Sequence, residues 1–178
     1  MTVDVRQLCD DLPVRVCPRC GRTGLRARDS KAVHCPNCDF LYYHNNAAGT
    51  GVAICCDDDV LFIERAYNPA QGKLDVPGGF VDYGETLEEA ALRETREEVG
   101  LVLPKVDYLA SFPNVYRYNE VVYSTCDAYF IARFETRPQV RAADDAAACH
   151  WRRPRDVAAG EMAFDSVRGL LHLLKSRF

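Results

Sequence analysis

No stretch of this chain approaches about eighteen consecutive apolar residues, so no membrane-spanning helix is expected. The first residues, Met-Thr-Val-Asp-Val-Arg, contain no apolar h-region, and a cytoplasmic protein is expected. A Walker-type glycine loop is missing, which removes one common phosphate cradle. No Ser–His–Asp pattern stands out: His34, His44, His150 and His172 share no spacing and read as surface or packing residues. Positive charge is not in excess either, because 22 Lys and Arg face 26 Asp and Glu, a net charge of −4. That balance argues against a nucleic-acid partner, and a polyanionic substrate would need a metal or local Arg and Lys for attraction. There is no internal repeat and no low-complexity tail.

The chain has 178 residues, 48% of them hydrophobic and 27% charged, enough for one full core plus a small appendage. Its nine cysteines are an odd number, and without a secretory leader they argue against a disulfide framework. Four of them form a pattern: Cys17-Pro-Arg-Cys20, fourteen residues, then Cys35-Pro-Asn-Cys38. Paired C-x-x-C units at this separation read as a tetrahedral zinc site, against the alternatives of buried structural cysteines or a redox pair. Gly21 and Asp39 follow the two pairs, where a metal knuckle often needs positive φ. Residues 22–34 are polar and suit a short hairpin whose folding energy the metal would supply. Four thiolates leave no open position, so the zinc would be structural, with His34 a weaker candidate ligand. Cys9, Cys55, Cys56, Cys126 and Cys149 have no partner spacing and read as small buried hydrophobes.

Thr86 and Glu89 form a capping box and Gly100 is a stop, so a helix is expected from about Leu87 to Val99. At about 100° per residue, Glu94, Glu97 and Glu98 fall within one arc of about 100°, shared with Leu87, Ala90 and Ala91. Three like charges on the face turned towards protein repel one another, and two sit in the last turn, where the helix dipole favours cations. Arg93 and Arg96 answer part of that charge, and a hard divalent cation, magnesium or manganese, would answer the rest. The bland alternative is a solvated acidic face. Gly78-Gly79 is a weak phosphate-cradle signal; its better role is to let the backbone approach the metal, with the Gly79 carbonyl as ligand. A carboxylate-held magnesium suits phosphoryl chemistry.

Residues 41–50 read as a connection. Gly51–Cys56 and Val60–Arg65 form a hairpin about the Asp57–Asp59 turn, and Leu74–Val81 is extended. Residues 106–118 and 120–134 read as strands, 137–147 as a polar loop, 149–152 as a short strand, and 164–174 as an amphipathic helix. The fold class is α/β, a mixed sheet with helices packed on it. Residues 1–44 are expected to hold an N-terminal segment with the zinc ribbon, and 45–178 the main domain.

Gly79, Glu85, Arg93-Glu94, Glu97-Glu98 and Gly100-Leu101 fix eight positions over 23 residues. This resembles the signature of the Nudix hydrolases, with Thr95 where the pattern usually has an aliphatic residue. The resemblance implies an α/β/α sandwich and covers about residues 48–175. It implies that Glu94, Glu97 and Glu98 are the metal ligands and that Glu85 and Arg93 orient them, with Glu97, Glu98, Glu85 and Arg93 forming the catalytic set. The implied reaction is metal-dependent hydrolysis of a nucleoside diphosphate linked to another moiety. A ribbon ahead of such a domain resembles the NADH pyrophosphatase branch, which implies NADH, NAD or ADP-ribose as substrate type. That branch's second motif is only partly kept: Ser111 and Pro113 match, whereas Phe112 and Asn114 do not. Ser111, Phe112, Asn114 and Tyr116 are nonetheless the candidate substrate-binding residues, against the alternative that the aromatics among them are core. Relatives commonly place a Glu three residues before the aromatic here numbered Trp151; this chain has Ala148. Asp144 or Asp145 could substitute, or else Glu97, Glu98 or the metal alone activates water. The competing reading is a nucleotide-sensing or nucleic-acid-binding module with little or no turnover. A homodimer stays open.

Overall fold

The computed structural model describes residues 14–29, 31–119 and 121–177. Cys9 lies outside the described residues. Two compact units are present: residues up to 46 together with 117–124 form one, and 47–116 with 125 onward form the other.

In the first unit, β1 (Arg26–Ala27), β2 (Ala32–His34) and β3 (Leu41–Tyr43) form a three-stranded sheet in that order. Both neighbouring pairs are antiparallel, with Val33 opposite Ala27 on one side and Tyr42 on the other. The expected hairpin is therefore present, and Leu41–Tyr43 adds a third strand where a connection was read. Ala32 and Val33 are buried, a small apolar centre beside the cysteines.

The second unit is built on a seven-stranded mixed sheet. Its strands are β4 (Ala47–Cys56), β5 (Asp59–Arg65), β6 (Leu74–Asp75), β7 (Gly78–Phe80), β8 (Asp107–Tyr118), β9 (Val121–Phe134) and β10 (Ala146–Arg152). The main path runs β10-β5-β4-β9-β8, with β6 on β5 and β7 on β4. β4 runs parallel to β9 and antiparallel to β5 and β7. Strand β4 begins four residues before the expected start, because Ala47–Thr50 pair with Thr125–Ala128. Sequence periodicity is weak there, since Ala, Gly and Thr carry little side chain to alternate.

Helix α1 (Leu87–Val99) covers one face and α2 (Asp165–Arg177) contributes to the core on the other. The strands alternate between them with the period of two that extended backbone imposes. Val52, Ile54, Leu61, Ile63, Ala128 and Phe130 join the core with Ala91 and Val99 of α1. Ala53, Cys55, Val60, Phe62, Tyr129 and Ile131 join the core with Val167, Leu170, Leu171 and Leu174 of α2. This covering of both faces explains the unbroken apolar runs in β4 and β5. Cys55 and Cys56 are buried as expected, but Cys126 is exposed and Cys149 only half-buried. Among the described residues, no helix is long and apolar enough to cross a membrane.

Gly78 lets β7 lie directly on β4. A Cβ there would stand 2.1 Å from the Thr50 carbonyl oxygen and 2.6 Å from the Gly51 Cα, both backbone atoms of the central strand. Gly78→Ala should therefore cost about 3 kcal/mol or more. Gly160→Ala, which meets nothing within 4 Å, should change stability by less than about 0.5 kcal/mol. Thermal melting of the two variants beside wild type checks the contrast.

Candidate functional site

The cysteine cluster is made by two knuckles of the same design. Cys17 N–H donates to Arg22 O and Gly21 N–H to Cys17 O; Cys35 N–H donates to Phe40 O and Asp39 N–H to Cys35 O. Gly21 has φ 71° and Asp39 φ 57°, the left-handed turn that the residue types after each pair predict. Cys17 Sγ lies 3.7 Å from Cys38 Sγ, and Cys20 Sγ 3.7 Å from Cys35 Sγ. A disulfide needs about 2.05 Å, whereas a tetrahedral edge around a metal with bonds of about 2.3 Å measures about 3.8 Å. All four sulfurs lie within 4.8 Å of one another, and His34 is not among them. Hydrogen bonding to the Arg22 backbone holds the Cys20 thiol down to about 6. Cys38 is lowered by hydrogen bonding to the Phe40 backbone, but burial and the neighbouring sulfurs push it up to about 12. Sulfurs so close cannot all ionise without a cation between them, so the cluster is one that could bind zinc.

In the second unit, the capping box expected at Thr86 is formed: its hydroxyl accepts from Glu89 N–H at 3.2 Å, and Glu89 Oε2 accepts from Thr86 N–H at 2.8 Å. Gly100 closes α1 with φ 70°. Thr95, the departure from the aliphatic pattern, is buried with its hydroxyl bonded to Ala91 O at 2.8 Å, so its polar group is satisfied within the helix. The structure gathers the carboxylates around Arg93. Its Nε and Nη2 donate to the two Glu85 oxygens at 2.8 and 2.9 Å, and its Nη1 donates to Glu94 at 2.8 Å and Glu97 at 3.1 Å. Nη2 also reaches Phe80 O at 3.1 Å, tying the helix to β7. The Arg93 guanidinium holds the Glu85 carboxyl below its ordinary range, and Glu85 chiefly raises Arg93 in return.

Glu98 is different. It is 3% exposed and accepts from Gly78 N–H at 2.9 Å, with no cationic side chain paired to it among the described residues. Burial pushes its carboxyl up to about 9, with Asp75, Glu94 and Asp145 adding to the rise. Glu94 is also raised, first by burial. Gly79 lies against Glu94: a Cβ on it would stand 2.4 Å from Glu94 Oε1. Glu94, Glu97, Glu98 and Gly79 border one cleft of about 340 Å³. Asp144 and Asp145 border it from the late loop, and Asp75, Asp82 and Asp127 from elsewhere, against only Arg65 and Arg93 of positive sign. An all-oxygen donor set with this surplus of carboxylate fits a hard divalent cation. The carboxylates do not converge as the cysteines do, for the latter are the one group among the described residues with at least three ligand atoms all within 4.8 Å.

The late loop is fastened to the helix end. Ala143 N–H donates to Glu98 O at 2.9 Å and Arg141 N–H to Val99 O at 3.0 Å, satisfying two of the carbonyls that a helix terminus leaves open. Asp144, at φ 49°, turns the chain there. Ala148 does not border the cleft; it pairs with Glu64 across β10 and β5.

Of the four candidate substrate residues, Asn114 and Tyr116 border the cleft. Phe112 packs against the α2-side core, 6.2 Å from Tyr129 between centroids, and stands where any Gly169 side chain would fall. Ser111 is exposed, on the opposite side of β8 by strand alternation. Residues not singled out from the sequence also line the cleft: Phe80, Phe164, Arg65 and Thr125. Tyr116 meets Phe80 at 5.3 Å edge-on and Phe164 at 5.4 Å, and Arg65 lies 5.0 Å over Phe164. Phe164 was legible only as the first apolar position of a helix; nothing in the sequence pointed to Thr125.

An α/β domain with an acidic, cation-fitting cleft beside one helix is thus defined by fold and geometry. The NUDIX domain family model matches residues 45–173, and the chain belongs to this family. An ADP-ribose pyrophosphatase of Methanocaldococcus jannaschii is 49% identical over 69 residues, 39% of this chain and 40% of the relative. A protein named NAD-capped RNA hydrolase NudC from Haemophilus influenzae is 30% identical over 110 residues, covering 61% of this chain and 42% of the relative. The chain therefore spans about two fifths of the length of these curated relatives. Among solved structures, a NUDIX hydrolase from Nitrosomonas europaea superposes with a TM-score of 0.67 at 24% identity, covering 92% of both chains. The NUDIX domain of Shewanella oneidensis NrtR, crystallised with ADP ribose, gives 0.62 at 22% identity over 76% of this chain and 90% of that one. These two likenesses establish the fold.

Burial raises the Asp75 carboxyl to about 6 despite Arg65 Nη1 at 3.6 Å from it and the Val76 N–H at 2.8 Å. A carboxyl raised in the folded state stabilises the fold below its unfolded value, and that contribution is lost as pH rises through the folded value. Wild type should therefore lose stability between about pH 4 and 6 relative to Asp75→Asn, and melting curves of both proteins across that range measure the difference.

Proposed function

We propose that this chain is a pyrophosphohydrolase that uses magnesium or manganese and acts on a nucleoside diphosphate linked to a second moiety, of the NADH, NAD or ADP-ribose type. The observation that carries the reading is Glu98: a buried carboxylate with no cationic partner among the described residues, beside Glu94, Glu97 and Gly79 in one cleft. A divalent cation supplies neutralisation of diphosphate oxygens and acidifies water in its shell. Glu94, Glu97, Glu98 and the Gly79 carbonyl would hold it. Arg93, clamped by Glu85, sets the spacing of Glu94 and Glu97. Glu97 and Glu98 are the carboxylates placed to accept a proton from attacking water, with Asp144 and Asp145 across the cleft. Water adds across the phosphoric anhydride: one P–O bond forms, the bridging P–O bond breaks, and the products are two phosphomonoesters. Asn114 and Tyr116 would contact the nucleotide; Ser111 and Phe112 would act on it only through β8. Names of the relatives support this substrate class, since one is an ADP-ribose pyrophosphatase and others act on NAD-capped RNA.

We further assign residues 1–44 to a segment carrying one structural zinc on Cys17, Cys20, Cys35 and Cys38, and 45–178 to the hydrolase domain of a cytoplasmic protein. All side chains invoked come from one chain, so catalysis as read here does not require a homodimer. The NAD-capped RNA hydrolase relatives favour one second reading, in which the diphosphate lies at an RNA 5′ end.

Glu97→Gln and Glu98→Gln should each lower metal-dependent turnover of ADP-ribose, NADH or NAD by about a hundredfold or more; near-normal turnover in both would remove the assignment. A screen of those compounds, NAD-capped RNA, nucleotide sugars and nucleoside triphosphates with magnesium or manganese ranks the substrates. Elemental analysis should find one zinc per chain, lost on combining Cys17→Ser with Cys20→Ser. An unchanged amide spectrum of the first unit in that double variant would refute a structural role.

A further inference from the structure

Among the described residues, one buried side-chain polar atom has no hydrogen-bond partner: the Thr125 hydroxyl oxygen. The residue is 2% exposed and borders the cleft. On β9, Thr125, Asp127 and Tyr129 alternate onto that same side. The rest of this row is satisfied, because Tyr129 Oη donates to Ser166 Oγ at 2.9 Å and Ser166 Oγ donates to Asp127 Oδ2 at 2.6 Å. Thr125 alone is left over. A dry hydroxyl without a partner lowers stability, and valine would fill the same space in a strand with better packing. Asn114 on β8 is a second buried polar residue bordering the cleft, 8% exposed, and its carboxamide has no hydrogen-bond partner among the described residues. Beside these two groups stands the aromatic wall of Tyr116, Phe80 and Phe164.

We propose that Thr125 and Asn114 are the hydrogen-bonding floor of a subsite for an aminated purine whose ring lies against the Tyr116 wall. The inference rests on the nucleoside-diphosphate reading above and names what selects its base. A carboxamide presents a donor and an acceptor side by side, the complement of adenine's exocyclic amine and adjacent ring nitrogen. The Thr125 hydroxyl adds a rotatable donor and acceptor. A site built this way rejects a base that lacks the amine, because its own buried groups are then left unpaired.

The test compares AMP with purine riboside 5′-monophosphate, which lacks the amine, by calorimetric titration of the full chain with magnesium present. Wild type should prefer AMP by about five- to tenfold, and Thr125→Val or Asn114→Ala should reduce the preference to within about twofold. Thr125→Ser should keep most of it. Thr125→Val should also melt at or above the wild-type temperature, a pairing of lost recognition with retained stability that a structural role would not produce. Equal binding of the two nucleotides by wild type overturns the inference, as does a Thr125→Val protein that keeps the preference. If the preference behaves as expected but no diphosphate is hydrolysed, the subsite stands and the hydrolase reading falls. If hydrolysis proceeds while the preference is absent, the hydrolase reading stands and the subsite falls.

Discussion

The second unit turns on what one guanidinium can hold. Helix α1 carries Glu94 and Glu97 one turn apart on its inward side, close to β7. Arg93 Nη1 binds both while the other edge of the same fork takes Glu85 in bidentate fashion. The planar fork has a fixed geometry, so holding Glu85 also fixes where Glu94 and Glu97 stand. Lysine could not do this, because a single ammonium has no fork. The reach of Arg93 to Phe80 O extends the constraint to the strand that carries Gly78 and Gly79.

The sheet decides where this cluster meets a nucleotide. β4 pairs along its length with β9, and its first half is glycine, threonine and alanine while its second half is bulky and apolar. The bulky half is sealed between α1 and α2. The small-residue half leaves room, and Gly49, Thr50 and Gly51 border the cleft. Gly49 shows why: a Cβ would stand 2.5 Å from Asp127 Oδ1. A single strand thus passes from core to site through side-chain volume alone.

Several groups around the cleft cost the fold stability. Glu98 and Asp75 are carboxyls raised chiefly by burial, and Thr125 keeps an orphaned hydroxyl. None of these is needed for packing. Their concentration around one cavity matches the general pattern in which local violations of packing rules collect at functional sites. The same logic applies to the cysteines, where four sulfurs in mutual contact are tolerable only around a cation.

Local signals in the chain determined much of this protein. The limits of α1, the paired knuckles with Gly21 and Asp39, the second helix and most of the long strands could be read directly. Each depends on neighbours within a few residues: a cap, a stop, a period of two or of 3.6. The glutamate spacing likewise placed three carboxylates on one side of a helix. Tertiary structure decided the rest. Whether Phe112 or Phe164 faces the cleft depends on how β8 packs against α2, and two phenylalanines look alike in sequence. Thr125 and Asp127 join the site because β9 runs parallel to β4, a pairing across more than seventy residues that carries no local signature. Burial sets the Glu98 carboxyl apart from that of Glu97, one position away, and burial is a property of everything folded around a side chain.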